Sequence, residues 1–340
     1  MKAILTSSPG DFGLVEMAIP EPDVDEVRLK IANAGICRND LRIQKGIHES
    51  ISYPIVPGHQ FSGVVDACGS AVKFAKLGDK AAVHSYVVCG QCGACHVGDT
   101  HYCDILKTLG FTLNGGFAQY SIIPERNLFK LPDNVNLLEG AMVENLANAV
   151  AVTGQSNLKM GESVAIIGAT SIGLMALQVA RLSSPSKIVL VGSGSNRLRL
   201  GQNLGADHIV DINKDGYMND LKGIVKGFDV VIVCGKTKNE LKLAIDIAGW
   251  RGRIVVEGHY DPDIEIDFSP FKVLVERAVS LQANCGWLTP DFHHALNLLK
   301  REKINVKPII THTFPLEDWE NGFNVFSCDE NQSIQVMLSM

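Results

Sequence analysis

The chain has little that would direct it to a membrane or a nucleic acid. No apolar run approaches the roughly twenty residues that a membrane helix needs. The opening Met1-Lys-Ala-Ile-Leu-Thr lacks the long apolar core of a signal peptide and reads as a first strand. No basic block stands out, and a net charge of -6 argues against general binding to phosphate backbones. Internal repeats and low-complexity segments are absent as well. Cysteine is the exception. There are nine, an odd count, and four of them cluster at metal spacing. Without a secretion signal, that usage points to reduced thiols and metal rather than disulfides, and the expected compartment is the cytoplasm. What remains is ordinary for a globular protein, with 46% hydrophobic and 20% charged residues. At 340 residues the chain is long enough for two domains.

The cluster is Cys89-Gly-Gln-Cys92-Gly-Ala-Cys95, completed by Cys103. A thiolate ligand must be deprotonated and held at fixed distance, and a CxxC turn brings two sulfurs onto one ion without strain. Four cysteines fill a tetrahedral zinc and leave no position for a substrate, so this lobe reads as structural. A chance cluster of core or surface thiols is the competing explanation, and the spacing weighs against it.

The texture of the sequence changes along its length. Up to about residue 147 it is rich in short strands, glycines and turns, such as Val27-Arg-Leu-Lys-Ile-Ala, Ser62-Gly-Val-Val-Asp and Lys80-Ala-Ala-Val-His. From Glu162 onward, strand and helix alternate. Ser163-Val-Ala-Ile-Ile is a continuous apolar strand, and Ile172 to Leu182 carries helical periodicity. Lys187-Ile-Val-Leu-Val, His208-Ile-Val-Asp-Ile, Phe228-Asp-Val-Val-Ile-Val, Arg253-Ile-Val-Val-Glu and Ala278-Val-Ser-Leu-Gln follow as further strands. Apolar strands alternating with helices imply a parallel sheet covered on both faces, the doubly wound α/β fold. Helices are expected over Pro290 to Lys300 and Leu316 to Phe326, and a strand over Ser333 to Leu338.

Two segments, Gly35-Ile-Cys37-Arg38-Asn39-Asp40 and Pro57-Gly58-His59-Gln60-Phe-Ser-Gly63-Val64-Val65, precede the cysteine lobe. Gly168 to Gly173 lies beyond it, and Ile309-Ile-Thr-His-Thr-Phe stands near the end. In this order, the motifs resemble the zinc-containing, medium-chain alcohol/polyol dehydrogenases of sorbitol and threonine type, over nearly the whole chain. The resemblance implies a GroES-like β-rich catalytic domain, residues 1–147 and 286–340, carrying the zinc lobe 89–103. A Rossmann dinucleotide-binding domain would span 148–285. It further implies a catalytic zinc held by Cys37 and His59, with Gln60 or Glu144 as the further ligand, and Asp40 orienting His59. Such a zinc polarises an alcohol or carbonyl oxygen while hydride passes to or from a nicotinamide.

Several positions depart from the family. Gln60 replaces the usual glutamate and removes a negative charge near the metal. Asn39 stands where a Ser or Thr hydroxyl passes on the substrate's proton, and an amide is poorly suited to that relay. Arg42 occupies the place of a histidine further along it. The proton would leave through water, His48 or Glu144. The altered relay also fits a reductase of conjugated or iminium substrates, or a catalytically silent nucleotide-binding relative.

Gly168-Ala-Thr170-Ser171-Ile172-Gly173 follows a strand and opens a helix, as a dinucleotide turn does. Thr170 replaces the middle glycine, and its side chain would crowd the pyrophosphate while its hydroxyl and N–H could bind a phosphate oxygen. By resemblance, Arg38 pairs with the pyrophosphate. An NAD site carries an acid at the end of the second strand. Here Val191 runs into Gly192-Ser193-Gly194-Ser195-Asn-Arg197, with donors for a 2′-phosphate and no acid, which favours NADP(H) over NAD(H). Arg197 and Arg199 also read as the solvated face of a helix. Phe111, Phe117 and Trp287 are candidates for pocket walls by resemblance, with ordinary core packing the stronger reading for any one of them, and Asn284-Cys285-Gly286-Trp287 lacks the arginine that anchors sugar hydroxyls. The expectation is a homodimeric or homotetrameric oxidoreductase for a small alcohol or carbonyl compound.

Overall fold

The computed structural model describes residues 1–48, 50–258, 260, 263–328 and 333–340. The chain divides into two compact units, Met1–Glu144 with Leu288–Met340, and Asn145–Trp287. Among the described residues, no helix is long and apolar enough to cross a membrane.

The first unit is built on a mixed sheet of seven strands, centred on the 11-residue strand Glu26–Ile36. That strand pairs antiparallel with Gln60–Cys68, Tyr120–Pro124 and Gln335–Ser339. The last of these comes from the end of the chain, so residues near both ends share one sheet. Alternation along Glu26–Ile36 turns Val27, Leu29 and Ile31 inward. Phe61, Phe117 and Phe323 join them in one apolar core. Each ring fully removed from water contributes about 1.5–3 kcal/mol. The register sets Gly35 opposite Gln60. Cys37 and His59 therefore leave the sheet at the same end of these two strands.

The second unit is a six-stranded parallel sheet: β1 (Ser163–Ile167), β2 (Lys187–Gly192), β3 (His208–Asp211), β4 (Phe228–Val233), β5 (Ala248–Glu257) and β6 (Ser280–Asn284). Its spatial order is β3-β2-β1-β4-β5-β6. This is the doubly wound Rossmann topology, with its reversal between β1 and β4. Helices on both faces explain why β1 is buried along its whole length and why an apolar run, rather than alternation, marks it in the sequence.

Some boundaries differ from the sequence expectation for local reasons. The sixth strand begins at Ser280 rather than Ala278, because Ala278 holds a left-handed φ of 52° that a strand does not accommodate. The strand begun by Lys80 ends at Val83 and leaves His84 beyond it. The last helix is preceded by a 3₁₀ turn at Leu316–Asp318 and runs over Trp319–Cys328.

Candidate metal centres and nucleotide turn

The lobe from Cys89 to Cys103 is held by very little apolar burial. It contains only a five-residue helix, Gly93–Val97, and a 3₁₀ turn, Thr100–Tyr102. Between residues 89 and 105, Cys103 is the one buried side chain, while Val97, Tyr102 and Ile105 face solvent. Yet the ligand atoms of Cys89, Cys92, Cys95 and Cys103 all lie within 4.8 Å of one another. Backbone N–H groups aim at the sulfurs. Gln91 and Cys92 donate to Cys89 Sγ at 3.4 and 3.3 Å, and Cys89 N–H donates to Cys103 Sγ at 3.3 Å. Those donors pull the Cys89 thiol down to about 6, toward the thiolate form, whereas desolvation pushes Cys95 up to about 12. Four convergent sulfurs with N–H support and no apolar core fit a closed tetrahedral zinc, whose binding would supply the folding energy that packing does not.

The second candidate centre is the opposite in character. Cys37 caps the short helix Arg38–Gln44, and its N–H donates to Asp40 Oδ2 at 2.8 Å. Asp40 has no exposed surface, and desolvation lifts its carboxyl to about 7 against the pull of the Cys37 and Gly58 backbone N–H groups. His59 is buried too. Burial, reinforced by the charge of His48, lowers its imidazole to about 4, so it is neutral at physiological pH. His59 Nδ1 stands 3.8 Å from Asp40 Oδ1, too far for a hydrogen bond, and with neutral His59 it is no ion pair. Neither of these two buried atoms has another hydrogen-bond partner. The arrangement suits an imidazole whose Nε2 ligates a metal while Nδ1–H turns to a carboxylate.

Phe111 lies with its ring centroid 5.0 Å from both His59 and His48. Of the candidates for the pocket wall, Phe117 is a core residue: it is fully buried, and a Cβ on Gly58 would come within 2.7 Å of its ring. Trp287 is buried as well. Gln60 is 2% exposed, and its amide oxygen packs over Gly35, where a Cβ would come within 2.8 Å. Glu144 is buried in the first turn of the helix Val143–Gln155. Among the described residues, the four cysteines are the only group of three or more His, Cys, Asp or Glu donors at that mutual spacing, so Cys37, His59 and Glu144 do not form a second. Arg38 is exposed, and Asn39 and Arg42 are half-buried on the same short helix.

In the second unit, Gly168 turns the chain out of β1 at a φ of 101°. A Cβ there would strike Gly235 N at 2.5 Å, and one on Gly173 would strike Gly168 O at 2.0 Å. Only glycine fits at either place. Thr170 is the N-cap of the helix Ser171–Arg181, and its Oγ1 accepts from Gly173 N–H at 3.1 Å. The hydroxyl expected to meet a phosphate is therefore engaged in capping, while the helix N-terminus that opens at Ser171 retains its donors. Ser171 Oγ is buried without a hydrogen-bond partner. Past β2, Gly192 ends the strand and Ser195 begins a helix capped by Gly194 at a φ of 87°. Ser193 and Arg197 are half-buried and Ser195 is exposed, with no acid among them. Arg199 is exposed and donates to Asn196 Oδ1, so it belongs to the solvated face.

One charged feature at the carboxyl ends of the strands escaped the sequence reading. Lys236, just past β4, pairs with Glu257 at the end of β5. An acid closing the apolar run Arg253-Ile-Val-Val-Glu257 was its available signal.

A four-sulfur lobe, Cys37 beside the buried His59 and Asp40, and a doubly wound sheet with a glycine turn together point to a metal-binding, dinucleotide-dependent oxidoreductase. Comparison with known proteins makes the class particular. Residues 23–133 match the alcohol dehydrogenase GroES-like domain, and residues 171–301 match the zinc-binding dehydrogenase domain. The chain is 30% identical to the L-threonine 3-dehydrogenase of Bacillus subtilis (strain 168), with 96% of this chain and 95% of the other covered. It superposes on the alcohol dehydrogenase rspB of E. coli CFT073, solved with NADH, at a TM-score of 0.92, 28% identity and coverage of 100% and 99%. A zinc-binding dehydrogenase of Sinorhizobium meliloti 1021 bound to NADP gives 0.92 at 26% identity, with the same coverage. The chain belongs to the zinc-containing, medium-chain alcohol/polyol dehydrogenase family.

Proposed function

We propose that this dehydrogenase interconverts a small secondary alcohol and ketone, or primary alcohol and aldehyde, with NADP(H) as the preferred partner. Cys37 and His59 would hold a catalytic zinc, with Glu144 or Gln60 completing the set, and Cys89, Cys92, Cys95 and Cys103 would hold a structural one. The observation that carries this reading is the pair of buried, unsatisfied atoms His59 Nδ1 and Asp40 Oδ1 facing each other at 3.8 Å beside Cys37. Zinc held there would supply a Lewis acid for the substrate oxygen. Asp40 fixes the tautomer and orientation of His59. Asn39 donates a hydrogen bond to the substrate oxygen, and its amide cannot pass the proton on. We assign the outward proton to His48, whose ring shares Phe111 with His59 and whose charge bears on it.

In the second unit, Gly168 and Gly173 let the pyrophosphate approach the helix beginning at Ser171. Ser193, Ser195 and Arg197 would bind the 2′-phosphate, and Arg38 the pyrophosphate. NADH and NADP each occur with a relative of similar fold, so the preference rests on this chain's own acid-free strand end. A homodimer or homotetramer fits the open edge strand β6, largely exposed together with Trp250.

Elemental analysis of zinc per chain, with mild chelation to separate tight from labile metal, tests the reading. Two zincs, one labile, are expected, with turnover that follows the labile metal. One tight zinc would turn the assignment toward zinc-independent reduction of conjugated or iminium substrates, or toward a silent nucleotide-binding relative.

A further inference from the structure

The carboxyl ends of β4 and β5 carry a charged cluster that the hydride-transfer reading leaves unused. Lys236 Nζ donates to both the carboxylate and the backbone carbonyl of Glu257. The Glu257 side chain is 4% exposed and that of Lys236 is 20%. Two further groups adjoin the lysine. Its ammonium lies 5.9 Å over the Tyr260 ring, and Tyr260 Oη donates to Gly235 O at 2.9 Å. Gly258 takes a φ of 70°, and a Cβ there would meet Lys236 Nζ at 2.6 Å. A second carboxylate, Glu240, packs on Gly235, where an added Cβ would come within 2.1 Å of it. Glu240 also caps the helix Lys238–Ile247, accepting from Thr237 N–H at 3.0 Å. The cluster thus holds one positive and two negative side chains.

Its position gives it a purpose. A doubly wound sheet binds one mononucleotide per half, outside the carboxyl ends of the strands. The glycine turn and the end of β2 claim the β1–β3 half for the adenosine and its ribose. The β4–β6 half is left for the nicotinamide, and Gly235 is close enough to the turn that a Cβ on Gly168 would touch its nitrogen. The nicotinamide ring is cationic when oxidised and neutral when reduced. A fixed charge facing that half of the sheet therefore discriminates between the two redox forms of the cofactor, whatever the substrate.

We propose that the Lys236–Glu257 pair sets the relative affinity for oxidised and reduced cofactor. Glu257 supplies the negative potential that favours the oxidised ring, and Lys236 offsets it so that the reduced cofactor is also held. This inference rests on the dehydrogenase reading and adds a positioning charge to it. The interaction is through space and needs no contact with the ring. A unit charge acting over about 8–10 Å at an effective dielectric of roughly 30–40 changes an equilibrium by about four- to tenfold.

The test is a set of binding titrations on the full chain with its zinc, following fluorescence or heat, with NAD⁺, NADH, NADP⁺ and NADPH. The quantity read is Kd for the oxidised form over Kd for the reduced form, in each series. Glu257→Gln should raise this ratio about four- to tenfold, and Lys236→Met should lower it by a similar factor. The double variant should return to within about twofold of the wild type. Removing one partner of a buried pair can unfold a protein. Glu240→Gln therefore serves as a second probe: glutamine retains the helix cap, and the ratio should rise in the same sense as for Glu257→Gln. Loss of folding would strike both redox forms equally, whereas opposite shifts in the two single variants would not arise from it. If the wild type binds both forms and the ratio is unmoved in every folded variant, or moves the same way in Glu257→Gln and Lys236→Met, the inference is overturned and the dehydrogenase reading stands. If the wild type binds none of the four dinucleotides, the dehydrogenase reading fails and the inference falls with it.

Discussion

The cysteine lobe and the Cys37–His59 pocket lie in one unit of the same chain and draw on overlapping donor chemistry, yet opposite forces build them. The lobe is local and wet. Its four sulfurs come from one short stretch, N–H groups aim at them, and almost nothing around them is buried. The Cys37–His59 site is assembled from distant segments, and its His59 and Asp40 are buried. Cys37 and His59 come to the same end of the sheet because a register across two long strands brings Gly35 to Gln60, and Asp40 loses all contact with solvent. A local site needs its metal to acquire a structure. A site embedded in a core already has one, and the metal proposed there would be free for chemistry.

That contrast makes its strongest prediction for paired variants. Cys37→Ser should lower kcat/KM about a thousandfold, the scale of losing several kcal/mol of Lewis-acid stabilisation, with little change in Tm. Cys103→Ser should do the reverse: the tight zinc is lost and Tm falls by roughly 5–10 °C. Circular dichroism melts and zinc analysis on both proteins separate the effects. A Cys37→Ser protein that melts like Cys103→Ser would break the comparison, since the pocket would then depend on metal for its fold.

The same division explains what could be read in the sequence. Local features were legible: the CxxC spacing, the strand–glycine–helix turn at Gly168 to Gly173, and the apolar runs of the parallel sheet. Features made by tertiary contact were less so. Nothing near Phe117 in sequence tells that it packs beneath Gly58 in the core, where its neighbours come from strands on either side. Thr170 looks like a missing glycine, and only the backbone geometry turns its hydroxyl into a helix cap. Lys236 follows β4 and Glu257 ends the neighbouring β5, so the crossover between the two strands separates them in sequence and the sheet reunites them. The Cys37 and His59 assignment came from family resemblance, because a lone histidine in a turn carries no signal of its own.

The nucleotide unit extends the comparison to cofactor specificity, which on the proposed reading is set past the glycine turn, where β2 ends. Gly192→Asp should reduce the NADPH/NADH preference in kcat/KM about tenfold, since a carboxylate repels a 2′-phosphate and accepts from a ribose hydroxyl. A Cβ at Gly192 comes within 3.1 Å of Ala169 N, so the backbone must yield slightly. Gly192→Ala carries that crowding without charge and is the control. If alanine and aspartate shift the ratio equally, the change is steric, and this strand end does not read the ribose.

The smallest expected effect probes the edge of the Cys37–His59 site. Gln60 is almost fully buried beside Gly35, and it sits next in sequence to His59. An amide there carries no charge, whereas a carboxylate without a compensating cation would be costly at this depth. Gln60→Glu therefore reports whether a cation is within reach. With zinc held by Cys37 and His59, the new carboxylate is stabilised. It should tighten the labile zinc and, by neutralising part of the metal's charge, change kcat severalfold. Metal affinity by competition with a chelator, read beside steady-state kinetics, separates the two consequences. Without a neighbouring metal, the carboxylate would instead be protonated or would destabilise the strand that begins at Gln60, lowering Tm while zinc affinity and turnover per folded molecule stay as they were. That outcome would place Gln60 with Gln335 in the packing over Gly35 rather than at the metal. The pocket's boundary would then run between His59 and Gln60, two consecutive residues whose side chains an extended strand turns to opposite faces.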